Sequence, residues 1–124
     1  LFDTVLALNS SYVEGFLNRA SAQQRLGELA GASADLKHAV SLQPKNPDTY
    51  FALALNNAQQ GSFVEALDCL TNAAARGYSD PLLFLVRGKV KIALRDTSGA
   101  CMDFSYALQK GLQEATSLSA QFCR

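Results

Sequence analysis

A step of 34 residues runs through the chain and restricts what it can become. Large residues fall at Phe16, Tyr50 and Phe84, and small ones at Ala20, Ala54 and Gly88. A second small set falls at Ala32, Ala66 and Ala100, and a large apolar set at Phe2, Leu36, Leu70 and Phe104. Val5, Ala39, Ala73 and Ala107 keep the same step. A fixed period of this length means a repeated supersecondary unit that cannot cover its own apolar face and is stable only when stacked. The alternation of large and small residues describes two helices that lie close together: bulky side chains fill the space between them, and small ones let the axes approach. The fold class is therefore all-α, a solenoid of antiparallel helix pairs.

Turn chemistry falls where this architecture needs it. Gly27 and Gly61 sit inside the pairs and supply the left-handed residue that ends a helix. Between the first two units runs Gln43-Pro44-Lys45-Asn46-Pro47, with Asn46 as N-cap and Pro47 at the first helical position. The next junction, Arg76-Gly77-Tyr78-Ser79-Asp80-Pro81, uses the same devices in another order. The expected helices are 12–25, 30–42, 47–60, 63–76, 81–94, 98–110 and 113–123, preceded by a stub at 1–8.

Composition removes several function classes. Eleven basic and 11 acidic side chains give a net charge of zero, without the basic field that nucleic acid or an anionic membrane surface attracts. No stretch approaches the roughly 18 apolar residues of a membrane span, so direct membrane insertion is not expected. The first residues, Leu1 to Leu6, lack a basic n-region and a cleavage site, and read as the interior of a longer protein.

The catalytic inventory is thin. His38 is the one histidine, and no neighbouring ligand or carboxylate pair gives it metal-binding or acid–base spacing; a helix-surface histidine is the expectation. Cys69, Cys101 and Cys123 show no C-x-x-C spacing, and Cys69 beside Leu70 reads as a small buried hydrophobe. The eight glycines are dispersed and form no phosphate-binding loop. No catalytic residue, metal or cofactor is expected.

The segment from Asn46-Pro47-Asp48-Thr49-Tyr50 through Gly61-Ser62-Phe63-Val64-Glu65-Ala66-Leu67, with Ala39-Val40-Ser41-Leu42-Gln43-Pro44 at a helix end, resembles the tetratricopeptide repeat family. The resemblance extends over nearly the whole chain. It implies a right-handed α-solenoid with repeats at 12–44, 46–78 and 80–110 and a terminal helix at 113–123. Residues 1–8 then form the tail of a preceding repeat, because Phe2, Val5 and Leu8 stand one period before Leu36, Ala39 and Leu42. The chain departs from the family pattern at Arg19 and Arg87, where leucine is usual. Ala20 and Ala54 replace glycine, Gln23, Asn57 and Lys91 replace tyrosine, and Arg95 replaces the mid-unit glycine.

The run Gly99-Ala100-Cys101-Met102-Asp103-Phe104, followed by Gly111, Ala115 and Cys123, resembles the terminal unit of bacterial tetratricopeptide proteins. An antiparallel pair brings the start of 98–110 near the end of 113–123, so Cys101 and Cys123 either form a disulfide or remain separate thiols. A disulfide leans the localisation towards an oxidising compartment, the bacterial cell envelope.

In this family the first helix of each unit lines a concave groove. The resemblance places Leu17, Ser21, Phe51, Leu55, Leu82, Leu85, Lys89 and Ile92 on or near that wall. Some members clamp an acidic C-terminus with lysine, asparagine and arginine; here those places carry Leu17, Ser21, Ala52, Leu82 and Val86, and no clamp exists. The implied function is a protein-interaction scaffold that holds a peptide or an amphipathic helix in a largely apolar groove. Two readings stay open beside it: neighbouring repeats fill the wall, or the domain regulates or localises an enzyme whose catalytic part lies elsewhere.

Overall fold

The computed structural model describes residues 2–123, with side chains from 13 onward. Every described element is an α-helix: α1 (Phe2–Arg25), α2 (Leu29–Leu42), α3 (Pro47–Gln59), α4 (Phe63–Ala75), α5 (Leu82–Ala93), α6 (Thr97–Gln109) and α7 (Ala115–Phe122). α1 packs on α2, α3 on α4 and α5 on α6. The pairs stack through α2 on α3 and α4 on α5, while α1 meets α3 and α3 meets α5. Alternate helices thus form two layers of a solenoid, and α7 lies on α6 at its end.

Five connections end their helices in one way. The amides of Glu28, Ser62, Tyr78, Asp96 and Leu112 donate to the carbonyls of Gln23, Asn57, Ala73, Lys91 and Ala107, five residues back, at 2.7–3.0 Å. This closure needs a left-handed residue just before the donor. Gly27, Gly61, Gly77 and Gly111 supply it at φ 79–90°, and Arg95 supplies it at φ 65° in place of the mid-unit glycine. Asn46 caps α3 by accepting from the Asp48 amide at 2.9 Å, with Pro47 starting the helix.

The periodic residues form the core. Ala32, Ala66 and Ala100 are fully buried, as are Ala39, Ala73 and Ala107. Ala20 and Leu36 share one cluster, Ala54 and Leu70 another, and Phe104 fills a third with Leu85, Ala107 and Ala115. In the third pair the bulk moves across the crossing: a Cβ added at Gly88 would stand 2.7 Å from Phe104 Cδ1, so only glycine fits beneath that ring. Ala–Leu in two units and Gly–Phe in the third fill comparable space.

Two expectations about element bounds change. The stub at 1–8 and the helix at 12–25 are one helix, Phe2–Arg25. Asn9-Ser10-Ser11 offers neither glycine nor proline, so nothing there removes a backbone hydrogen bond or forces a turn. The side chains of Phe2, Val5 and Leu8 lie outside the described residues. α7 is shorter than 113–123, because Gln113 and Glu114 complete the turn after Gly111.

Candidate functional site on the first-helix layer

α1, α3 and α5 form the layer that would line a groove. The period brings Leu17, Phe51 and Leu85 into one row and Ser21, Leu55 and Lys89 into the next, a turn further along each helix. Burial separates the rows. Phe51 is 7% exposed and stacks on Tyr78, with ring centroids 4.4 Å apart and planes at 16°. Leu85 is 1% exposed and sits in the cluster with Phe104 and Ala115. Both are core residues, which corrects their expected role as partner anchors: Tyr78 and the central cluster take the surface of Phe51, and α6 and α7 take that of Leu85. Leu17 is half-buried against the α1–α3 cluster.

The second row remains accessible. Ser21 and Lys89 are exposed, and Leu55 is half-buried on the edge of the central cluster. Leu82 bridges the central and terminal clusters, and Ile92 packs on the terminal one; both keep part of their surface open. The wall is therefore mixed: half-buried Leu17, Leu55, Leu82 and Ile92 between polar ledges at Ser21 and Lys89. Asn56, which is fully buried, ties α3 to α1 and α2: it accepts from Gln24 Nε2 at 3.2 Å and donates to the Leu29 carbonyl at 3.0 Å.

Arg19 and Arg87 pair across their units, an arrangement that sequence reasoning missed. Arg87 donates to Asp103 through Nε at 2.9 Å and Nη2 at 2.8 Å, and Lys91 adds an ion pair at 3.0 Å to a carboxylate 5% exposed. Arg19 holds Asp35 in the same fork, with Nε to Oδ2 at 2.6 Å. The hydrogen bond from Arg19 lowers the Asp35 pKa against the opposing pull of burial. In the middle unit the corresponding positions are Leu53 and Cys69, with Asn57 donating to the Cys69 sulfur at 3.7 Å. The shared separation of 16 residues in Arg19/Asp35 and Arg87/Asp103 was the available signal.

The remaining chemistry-bearing residues occupy structural places. His38 lies on an exposed helix face, 4.6 Å from the Phe16 ring. Cys69 is a half-buried free thiol whose pKa is raised, chiefly by burial, which keeps it protonated and a poor nucleophile. Cys101 and Cys123 form a disulfide that ties the end of α7 to the start of α6. Among the described residues no three His, Cys, Asp or Glu side chains converge as a metal site. No described helix is long and apolar enough to cross a membrane.

Paired helices, a common step and a stacked first-helix layer match solved structures closely. The chain superposes on the first tetratricopeptide domain of Spaghetti (RPAP3) bound to the HSP90 peptide SRMEEVD, with a TM-score of 0.84 at 19% identity, over 91% of this chain and 94% of that one. This is a tetratricopeptide-repeat fold. The second such domain of human RPAP3, in complex with the HSP70 peptide SGPTIEEVD, gives a TM-score of 0.86 at 17% identity over 94% and 98% of the two chains. The Arabidopsis OM64 tetratricopeptide domain gives 0.84 at 20% identity, covering 91% and 94%. No protein-family model and no curated sequence matches the chain.

Proposed function

We propose that this tetratricopeptide array is a non-catalytic protein-interaction module that holds a peptide or amphipathic helix of a partner against its first-helix layer. One observation carries the reading. That layer keeps half-buried apolar surface at Leu17 on α1, Leu55 on α3, and Leu82 and Ile92 on α5, beyond what packing of the units consumes. Partly exposed apolar side chains spread over successive first helices, among polar ones, suit the apolar face of a helix presented at intervals of three and four residues.

The chemistry of the occupant differs from that of the similar structures. Those two domains of RPAP3 hold peptides ending in Glu-Glu-Val-Asp. Here Leu17, Ala52, Leu82 and Val86 are apolar and supply neither charge nor donor to a terminal carboxylate. The partner segment is accordingly apolar on its contact face. Lys89 at the rim adds one attraction for an acidic residue beside that face. The Cys101–Cys123 bond supports an oxidising compartment, and the resemblance of the terminal unit adds the bacterial cell envelope as its identity.

Fluorescence anisotropy tests the reading with two labelled probes, a leucine-faced amphipathic helical peptide and the peptide SRMEEVD. The helical peptide should bind, and Leu55→Ser should weaken it about tenfold or more, the cost of about one buried leucine. Tight binding of SRMEEVD, or binding of the helical peptide unaffected by Leu55→Ser, overturns the assignment.

A further inference from the structure

α7 covers apolar surface that the period assigns to the first-helix layer. Leu85 stands in one row with Leu17 and Phe51, yet it is 1% exposed, because Phe104 and Ala107 of α6 and Ala115 of α7 share its cluster and close over it. Leu118 and Phe122 pack on the same cluster. Ala115, Leu118 and Phe122 follow one another at intervals of three and four residues, the spacing of one apolar helix face. α7 is thus itself an amphipathic helix seated against α6 and Leu85, the kind of segment assigned above to a partner.

One covalent bond does much to keep it there. α7 has eight residues, no side-chain cap at Glu114, and Ala115 as its one buried side chain. By contrast α3, α4, α5 and α6 span 12–13 residues and bury three or more side chains each. A helix of about two turns is marginal without outside support. The Cys101–Cys123 bond supplies that support, tying the end of α7 to the start of α6 across 22 residues. Closing a loop of this length removes chain entropy from the released form and favours the seated one by about two orders of magnitude. Cys101 also lines a recess of about 470 Å³ on α6 with Met102, Ser105, Tyr106 and Gln109, so a small thiol reaches this sulfur without unfolding of the array.

We propose that the Cys101–Cys123 bond is a redox latch on the partner site: its reduction frees α7, and the partner's amphipathic helix takes the seat of α7 over Leu85, an assignment that rests on the helix-binding role of the first-helix layer. The reductant is a dithiol. One of its thiolates attacks Cys101 Sγ, the bond to Cys123 breaks, and Cys123 leaves as a thiolate that takes up a proton. The second thiolate of the reductant attacks the reductant's own sulfur in the mixed disulfide and expels Cys101 as a thiolate, which is protonated in turn. The protein gains two electrons and two protons, and the dithiol becomes a cyclic disulfide. The reverse exchange, with a disulfide as oxidant, seats α7 again.

The test compares the full chain before and after dithiothreitol, with free thiols followed by alkylation and mass: Cys69 alone in the oxidised form, joined by Cys101 and Cys123 in the reduced form. Hydrogen exchange at Leu118–Phe122 should quicken about a hundredfold on reduction, while α3 and α4 keep their protection. Anisotropy of the leucine-faced helical peptide should show about tenfold tighter binding to the reduced chain, the worth of about one more buried leucine. Oxidised glutathione, added after the reductant is removed, should reverse both changes, and Cys101→Ser/Cys123→Ser should bind tightly in either buffer. Equal protection of α7 in both forms, loss of protection in α3 and α4 together with α7, or equal affinity of the two forms would each overturn the latch, and in the last case the groove still binds. A peptide that binds neither form removes the groove reading and the latch with it.

Discussion

Gly88→Ala is the substitution whose outcome depends most directly on the packing between units. At an exposed helical site it would stabilise by about 1 kcal/mol, because alanine is the better helix former. Gly88 is instead buried in α5 beneath the Phe104 ring, which is itself fully buried and has nowhere to retreat. A new Cβ would overlap Phe104 Cε1, the nearest ring atom, and stand 2.7 Å from Cδ1 and 3.1 Å from Cζ, so the whole ring must be displaced in a close-packed cluster. Overpacking of this kind costs about 1–3 kcal/mol, and the rigid ring favours the upper end, so the net effect is about 2 kcal/mol of destabilisation. Phe104→Leu alone should cost roughly 1 kcal/mol through lost packing. Together the two changes recreate the Ala–Leu crossing of Ala20/Leu36 and Ala54/Leu70, and the double variant should return close to the parent stability. The coupling energy is then about 2–3 kcal/mol, at the upper end for residues in contact. Urea unfolding followed by circular dichroism measures all four proteins. A stabilised Gly88→Ala variant, or strictly additive effects, would refute the reasoning.

Arg87→Leu should destabilise by about 2–3 kcal/mol in the same assay, since it leaves the buried Asp103 with Lys91 alone, whereas Arg19→Leu, at a largely exposed arginine, should cost clearly less at neutral pH. Because Arg19 lowers the Asp35 pKa, the pair contributes above the unfolded carboxylate range of about 4 and loses its contribution as pH falls through the folded value; urea midpoints against pH should show that acid limb, and Arg19→Leu should remove it. Arg95→Gly should stabilise by about 1 kcal/mol by relieving a side chain at φ 65°, read as a raised melting temperature. Cys101→Ser opens a disulfide spanning 22 residues and should cost about 3 kcal/mol, matched in the parent by added dithiothreitol. Phe51→Ser should lose about 3 kcal/mol and the helical signal with it, while Leu55→Ser should melt nearly as the parent does.

Much of the architecture was legible because its causes are local and repeated. A left-handed glycine ends a helix wherever it stands, Asn46-Pro47 starts one, and a small residue at every crossing follows from two axes that lie close together. The period of 34 residues therefore determined the helix pairs and the buried alanine sets without any knowledge of neighbours, whereas the bond between Cys101 and Cys123, left open by the sequence, was decided by the packing of α7 on α6. Tertiary packing decided what depends on contact between units. Phe51 and Leu85 stand at groove positions along their helices, yet Tyr78 covers one and the α6–α7 end of the array covers the other. The pairing of Arg87 with Asp103 needs two helices to face each other, and each residue alone looks like a solvated charge. The two junctions read alike as polar turns, but Arg76 reaches the Pro44 carbonyl at the first, whereas Lys110 lies over the Tyr106 ring at the second. Periodicity sets which residues occupy equivalent places; the reach and bulk of the side chains across each interface set which of those places are filled and which stay open.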